Sequence, residues 1–294
     1  MYQFQSGATL LALCAEHKQS ISEVMLLAEQ LHSERPRGAL LEEMRGSLTV
    51  MKQAVERGLA GDLRSFSGLS GGDAALLHAY APRALLGEQA CKAAAAAMAT
   101  VEVNAAMGRI VAAPTAGASG ILPGALITLA PAYGWRDEEL TRALFTAGAI
   151  GKIIATRATI SGAGGGCQAE TGSAAAMTAA ALVELCGGTP EMSLTAAAIA
   201  LKNVLGLVCD PVAGLVECPC MKRNALGAMN ALLAADTALC GIKSHIPFDE
   251  VVDAMKLVGA SMRRELRETA LGGLAATPTA KRIARALREK QGAE

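Results

Sequence analysis

Apolar side chains recur at spacings of three and four residues along most of this chain, which is the period of an amphipathic α-helix. The pattern predicts helices at 7–34, 38–59, 73–80, 87–108, 137–156, 168–186, 190–206, 222–240, 247–266 and 278–290. We expect Ser20 and Glu23, spaced as a capping box, to divide the first segment into two helices. Runs of β-branched residues bounded by turns hardly occur, so no strands are expected. The sequence therefore predicts an all-α fold.

Several of these segments begin with recognisable helix-start signals. Asp73 follows a glycine loop and is placed to cap a short helix that runs to Tyr80. Asp137 opens a run of three acids, which complement the dipole at a helix N-terminus. Thr189 and Pro190 form an N-cap and first-position pair. We therefore expect helices to begin at these points.

Residues 110–135 form the longest stretch without a charged side chain, and length alone would let it span a bilayer. Pro114, Pro123 and Pro131 break it into pieces whose freed backbone groups would need partners in lipid. We expect a buried loop followed by a core helix, and no membrane association. Without a disordered linker or a fixed-period repeat, we expect one compact helical domain over residues 1–294.

Composition narrows the class of ligand and the cellular setting. Basic and acidic residues are equal at 27 each, so no basic face suggests nucleic acid and a small polar ligand is favoured. The N-terminus lacks the basic start and cleavage site of a secretory signal, so a reducing cytoplasmic location is expected. In that setting, cysteines in loops are more often metal-binding or catalytic than paired in disulfides.

Three of the eight cysteines lie in loops broken by glycine and proline. Cys167, Cys209 and Cys220 have the spacing C-x41-C-x10-C, and Cys218 is an additional candidate. Zinc sites usually pair ligands two to four residues apart, so this spacing disfavours zinc. Ligation by three thiolates suits an iron–sulfur cubane that keeps one iron open for substrate. The alternative is that cysteines pack as small hydrophobic residues, which we expect for Cys14, Cys91, Cys186 and Cys240.

Glycine-rich loops precede several of the predicted helices, at 67–73, 113–120 and 161–167. Small side chains let backbone amides approach an anion closely, and helix starts attract carboxylates and phosphates. The alternative is that these glycines only permit tight helix crossings.

Four segments carry a family resemblance. They are NAAMGRIVAAPTAGASGILPG (104–124), SGAGGGCQAETGSAAAM (161–177), KNVLGLVCDPVAGLVECPCMKRNALGA (202–228) and ETALGGLAATPTAKRI (268–283). Through them the chain resembles the alpha chain of bacterial iron–sulfur L-serine dehydratase, also called L-serine ammonia-lyase. The resemblance implies a [4Fe–4S] cluster held by Cys167, Cys209 and Cys220, with Cys218 as a neighbour. It also implies a separate beta chain as partner.

The activity implied by the resemblance is conversion of L-serine to pyruvate and ammonia, with the open iron acting as a Lewis acid on the serine hydroxyl. An alternative keeps the cluster and changes the substrate, as in a cysteine desulfidase or a threonine dehydratase. A pyridoxal-phosphate dehydratase is disfavoured, because that chemistry normally uses an α/β body with strands. A non-enzymatic helical scaffold is the remaining alternative.

The residues that would act on serine are predicted from their loops. A general base must take the α-proton, and His245 and His78 are the candidates, unless the partner chain supplies the base. Lys222 and Arg223, directly after Cys220, would hold the serine carboxylate or balance the charge of the thiolates. The loop residues expected to orient serine are Ser70, Gly71, Gly72, Thr115, Gly117 and Ser119.

Overall fold

Small side chains dominate the centre of this protein and let its helices pack closely. In the computed structural model the described residues are 2–291, so Met1 and 292–294 of the expected domain lie outside them. The thirteen α-helices of the described residues are α1 (Gly7–His17), α2 (Ile21–Ser33), α3 (Arg37–Leu59), α4 (Asp73–Tyr80), α5 (Glu88–Ala105), α6 (Ile121–Tyr133), α7 (Asp137–Arg157), α8 (Gly162–Gly165), α9 (Ser173–Leu185), α10 (Pro190–Lys202), α11 (Cys220–Leu239), α12 (Phe248–Ser261) and α13 (Pro278–Gln291). The predicted all-α fold is confirmed.

The core is built around two buried helices. Helix α9 packs against α6, α7, α10 and α11, and helix α5 packs against α3, α4, α6 and α11. The middle of α5 is a run of buried alanines, 93–97. A Cβ on Gly124 of α6 would lie 2.5 Å from the backbone nitrogen of Ala97, so glycine permits this crossing. The helices that carry functional loops are therefore fixed by close backbone contact.

Two of the predicted helix starts are confirmed in detail. The Ser20 hydroxyl accepts the N–H of Glu23 at 3.3 Å, and the Thr189 hydroxyl accepts the N–H of Met192 at 3.3 Å. The Glu23 carboxylate pairs with Arg37 instead of completing the capping box. Both hydroxyls satisfy N–H groups that a helix leaves without an internal acceptor.

The predicted cap of α4 is wrong. Asp73 is the first helical residue, and its carboxylate pairs with Lys222. The buried carboxylate of Glu102, on α5, accepts the N–H groups of Gly72 and Ala74 at 3.0 Å each. The N-terminus of α4 is therefore capped by a buried acid from another helix, and not by Asp73.

Helical periodicity continues past the point where several helices end. Helix α10 ends at Lys202 and α12 ends at Ser261. After each helix the chain forms a loop that leads towards the cysteines. The predicted helix 168–186 consists of a π-helical turn, Gln168–Gly172, followed by α9. Wider π turns of this kind are frequent at functional sites.

The apolar stretch forms a loop and then a core helix, as predicted. By length and composition, Ala116–Tyr133 passes a test for a membrane-spanning helix, but 61% of it is buried inside the protein. Helix α6 packs on α5, α9 and α11. Burial in the core accounts for its apolar composition.

The segment 262–277 crosses over the loop that carries Cys209. The Cys209 N–H donates to the carbonyl of Leu266 at 2.9 Å, and the Glu268 N–H donates to the carbonyl of Cys209 at 2.7 Å. These two bonds form an isolated parallel β-bridge between Cys209 and Arg267. Helix α13 then packs on the short turns 212–214 and 273–276.

Candidate functional site

Three separate elements bring Cys167, Cys209 and Cys220 together. Cys167 lies between α8 and the π turn, Cys209 lies on the bridge to Arg267, and Cys220 opens α11. Cys167 and Cys209 are 5% and 4% exposed, and Cys220 is half-buried. None of the three is in a disulfide. The thiols therefore face a largely dry interior.

The ionisation of these thiols is coupled. Burial, followed by the charges of Cys167 and Glu170, raises the pKa of Cys220 to about 12. Burial and the charges of Glu170 and Cys167 raise the pKa of Cys209. Burial also raises the pKa of Cys167, against the opposing hydrogen bond of Thr171. The three thiols are close enough to repel one another when ionised, so at neutral pH they keep their protons unless a positive ion replaces them.

The geometry of the thiols differs from that of a single-ion site. Among residues 2–291, no three His, Cys, Asp or Glu side chains are close enough to hold one metal ion together. A structural zinc site needs four ligands within about 2.3 Å of the metal. In a cubane each cysteine binds a different iron, so its ligands stand farther apart. Three free thiols from separate segments are a donor set of the kind that iron–sulfur clusters take.

Gly162 packs closely against Cys209 and Glu170. A Cβ on Gly162 would lie 3.0 Å from the Cys209 sulfur and 2.5 Å from Glu170 Oε2. A side chain at this position would collide with the Glu170 carboxylate, so glycine is what lets the backbone approach it this closely. The glycine loop before Cys167 therefore packs directly against a thiol and a carboxylate.

Glu170 is the carboxylate that meets the thiols, and sequence analysis did not single it out. Its Oε2 accepts from the Cys209 thiol at 3.6 Å, and its Oε1 accepts from the Thr115 hydroxyl at 2.8 Å. Burial and the nearby charge of Glu268 raise the pKa of Glu170. A carboxylate with a raised pKa is a stronger proton acceptor than a solvated one.

The loop 115–120 is fixed to the start of α11 by Asn224, a second residue that was missed. The buried Asn224 side chain donates to the carbonyls of Gly117 at 2.7 Å and Cys220 at 2.9 Å, and accepts the N–H of Gly120 at 3.0 Å. Ser119 is fully buried and donates to a carbonyl of its own turn. In this loop, Thr115 and Gly117 border the Glu170 carboxylate, whereas Ser119 holds the backbone.

The loop 67–73 reaches the cysteines through Glu217. Ser67 donates to Glu217 Oε1 at 2.6 Å, and Ser70 donates to its other oxygen. Glu217 is 6% exposed and lies three residues before Cys220. The N–H of Gly72 is already bound to Glu102, and Gly71 (φ +137°) fits only without a side chain because Leu63 lies against it. This loop thus positions the segment that carries Cys220.

The two basic residues after Cys220 differ in their surroundings. Lys222 is exposed and pairs with Asp73. Arg223 donates to the carbonyl of Val208 at 2.7 Å and to Asp210 at 2.8 Å, and its charge opposes the rise in the pKa of Cys167 that burial causes. Asp210 also accepts the N–H of Leu274 at 2.7 Å. Arg223 therefore favours negative charge on Cys167. Through Asp210, it also ties the loop of Cys209 to the segment 262–277.

The structure does not bring His245 to the cysteines. His245 is exposed beside Ala238, near the C-terminal end of α11, whereas Cys220 opens that helix. A helix of this length spans about 30 Å. His78 lies towards the C-terminal end of α4, which begins beside the loop 67–73, and its ring is partly buried. Glu170 is hydrogen-bonded to the Cys209 thiol, and neither histidine has such a bond within the described residues.

The remaining cysteines divide into two groups. Cys14 and Cys91 are buried, as predicted for small hydrophobic residues. Cys186 and Cys240 are exposed, so that prediction is wrong for them. They are the C-cap residues of α9 and α11, directly after the last helical residue.

Sequence comparison then assigns the family. A family model described as the serine dehydratase alpha chain matches residues 16–275. The chain belongs to the serine dehydratase alpha chain family. This confirms the resemblance drawn from the four motifs, and the family is one of carbon–nitrogen lyases.

Relatives within this family fall into two lengths. The probable L-serine dehydratase alpha chain of Bacillus subtilis is 52% identical over 282 residues, covering 95% of this chain and 94% of that protein. The L-serine dehydratase alpha chain of Peptoniphilus asaccharolyticus is 44% identical, with 94% and 95% covered. The L-serine dehydratase of Streptomyces coelicolor is 42% identical over 93% of this chain but only 61% of its own length. Some serine dehydratases thus contain a further segment beyond the part that this chain matches.

Proposed function

We propose that this protein is an L-serine ammonia-lyase that converts L-serine to pyruvate and ammonia. The observation that carries the proposal is the meeting of Cys167, Cys209 and Cys220 beside Glu170, in a chain of the serine dehydratase alpha chain family. Dehydration of serine needs a group that removes the α-proton and a group that helps hydroxide leave. The site offers residues suited to both needs.

The donor set suits a [4Fe–4S] cluster held by Cys167, Cys209 and Cys220. When bound, such a cluster supplies a Lewis acid, at its one iron without a cysteine, for the β-hydroxyl of serine. Arg223 offsets the negative charge of the thiolates, and Asp210 holds Arg223 in place. Gly162 lets the loop before Cys167 pack directly against Cys209.

Glu170 is our candidate for the general base. Its Oε2 lies at the thiols and its Oε1 is held by Thr115, so the carboxylate has a fixed orientation. In the proposed reaction it takes the α-proton of serine, and the electron pair of that C–H bond forms the α,β double bond as hydroxide leaves. The resulting aminoacrylate tautomerises to an imine, and water hydrolyses the imine to pyruvate and ammonia.

Thr115 and Gly117 are the loop residues we retain for orienting serine, because they border the Glu170 carboxylate. Ser70 and Gly72 bond to Glu217 and Glu102 rather than to Glu170, so we assign them to positioning the loops.

We also propose a beta chain as partner and a reducing, cytoplasmic setting. Two relatives of nearly the same length are named alpha chains, and the Streptomyces coelicolor enzyme has additional length in one polypeptide. A separate beta chain would correspond to the additional segment that the longer relatives contain in the same polypeptide. A reducing compartment would keep the eight cysteines as thiols.

The test is anaerobic purification followed by iron and sulfide determination and assays on serine, threonine and cysteine, with and without the beta chain. We expect iron and sulfide together, and pyruvate release that is fastest from serine. Alanine at Cys167, Cys209 or Cys220 should abolish both iron content and activity, whereas Cys91→Ala, at a buried thiol outside the site, should retain both. Faster sulfide release from cysteine, or faster 2-oxobutyrate release from threonine, would reject serine as the substrate.

A further inference from the structure

A groove of about 630 Å³ lies between α13 and the loops that hold the thiols. We call it the C-terminal groove. It is lined by Phe66, Ser67, Ala213, Leu215, Thr269, Ala270, Leu271, Ala275, Ala276, Lys281, Ala284, Arg285, Leu287 and Arg288. The groove is therefore shared by three loops and the last helix.

One wall of the C-terminal groove is basic. Lys281, Arg285 and Arg288 are spaced by four and three residues, so they share one face of α13. No acidic side chain lines the groove, and none of the three cations forms an ion pair within residues 2–291. A groove with charge of one sign favours a ligand of the opposite sign.

The opposite wall of the groove is apolar and open to solvent. Phe66 is 78% exposed and Leu271 is 64% exposed. Large aromatic side chains are enriched in protein interfaces, where they provide much of the buried area. A ligand that fills this groove must therefore present apolar groups as well as negative charge.

The length of the basic wall favours a polypeptide over a small anion. Lys281 and Arg288 are seven residues apart, which is roughly 10 Å along a helix. A single phosphate or carboxylate would reach one or two of these cations. A segment of several residues, with carboxylates along one side, would reach all three and cover Phe66.

Each of the three loops that line the groove is connected to the thiol site. Ala213 and Leu215 lie between Cys209 and Cys220 in the chain, and Thr269 follows Glu268, whose N–H is bonded to Cys209. Ser67 donates to Glu217. Whatever binds in the groove contacts the loops that position the cysteines.

We propose that the C-terminal groove is the docking site for an acidic, partly apolar segment of the beta chain. This rests on the proposed function, because that function supplies the partner. Docking places the partner against the three loops that line the groove, which contact or contain the segment from Cys209 to Cys220, so binding in the groove and the positions of these two cysteines are coupled.

The experiment measures binding of the beta chain from the same organism to the full-length alpha chain by calorimetry, without serine. We expect the double variant Lys281→Glu/Arg285→Glu to raise the Kd at least about tenfold, since each reversal converts attraction into repulsion. The matched control is Arg282→Glu, which reverses a charge on the same helix outside the groove lining and should change the Kd less than about twofold. Circular dichroism and urea unfolding would verify that each variant is folded.

Added salt should weaken binding of the wild-type chain more than binding of the double variant, because fewer opposite charges meet in the variant. Equal affinity of wild type and double variant, absence of any binding, or self-association through the groove that the double variant abolishes would each overturn the docking site. The serine assay is separate: a chain that binds the beta chain through the groove but releases no pyruvate would reject the proposed activity and leave the docking site standing.

Discussion

Glu170 has one carboxylate oxygen at the Cys209 thiol and the other held by Thr115, so its orientation is set before any substrate enters. Fixed orientation matters for a proton acceptor, because proton transfer requires approach to hydrogen-bonding distance. Both glycines that border it, Gly117 and Gly162, let the backbone pack close to its oxygens. The role of Glu170 can be tested separately from cofactor binding.

Glu170→Gln should lower kcat for serine by about 10² to 10⁴, since glutamine has nearly the same shape but does not accept the proton. Iron and sulfide content should stay at the wild-type level, because the three cysteines are unchanged. Glu184→Gln is the matched control: Glu184 is a carboxylate of α9 bonded to Thr146 and to the N–H of Ser22, away from the thiols. A kcat for Glu170→Gln within about threefold of wild type would contradict the assignment.

The proposed cluster ligands were easier to single out in the sequence than the side chains that hold them. Cysteines in glycine-broken loops are unusual in themselves, and the family motifs selected among them. Asn224, Glu217 and Asp210 were missed because their roles arise from partners far away in the chain, such as the Gly117 carbonyl and the Leu274 N–H. Their proximity in sequence was the available signal, since Asp210 follows Cys209 directly and Glu217 and Asn224 lie three and four residues from Cys220.

At the scale of elements, the crossing of α5 and α6 determines where the loop 115–120 sits. A Cβ on Gly124 would lie 2.5 to 2.8 Å from backbone and side-chain atoms of Ala97, and both helices are held by further neighbours. Helix periodicity predicted both helices but not this contact, because the pattern shows which face is apolar and not which residue it meets. The ends of α10 and α12 were overestimated for the same reason: loop formation there depends on tertiary partners.

Gly124→Ala should destabilise the protein by about 1–3 kcal/mol, because the added methyl group forces two packed helices apart. Gly46→Ala, in the exposed part of α3 with no atom within 4 Å of the new Cβ, should instead stabilise by about 0.5–1 kcal/mol through helix propensity. Urea unfolding of both variants measures the two changes. Equal effects of the two substitutions would show that the crossing tolerates a side chain.

At the scale of the whole molecule, the convergence of three cysteines could not be predicted from their spacing. Loops that are far apart in the chain meet only because α5, α9 and α11 are packed in one body. Burial of thiols is a further property of the whole fold. Cys14, which lies outside the site, shows how burial of a thiol affects stability. Burial, followed by the charges of Glu184 and Glu191, raises the pKa of Cys14 to about 11 from an ordinary value of 9.0.

Cys14 should therefore make the stability of the protein depend on alkaline pH. Above pH 9 the unfolded chain loses the Cys14 proton while the folded chain keeps it, so the free energy of unfolding falls as pH rises towards 11. The rise in the pKa of Cys14 from 9.0 to about 11 corresponds to a loss of about 3 kcal/mol in the free energy of unfolding. Urea unfolding of wild type and Cys14→Ala under reducing conditions should show the advantage of wild type shrinking between pH 9 and 11; parallel curves would contradict this assignment.

The bridge between Cys209 and the crossing segment also bears on biosynthesis. Cys209 is fixed by backbone bonds to Leu266 and Glu268, residues made almost sixty positions later. During translation, Cys167, Cys209 and Cys220 leave the ribosome well before the segment that holds Cys209 in place. The complete thiol arrangement can therefore form only once nearly the whole chain has been synthesised, which makes it a late event in the life of each new molecule.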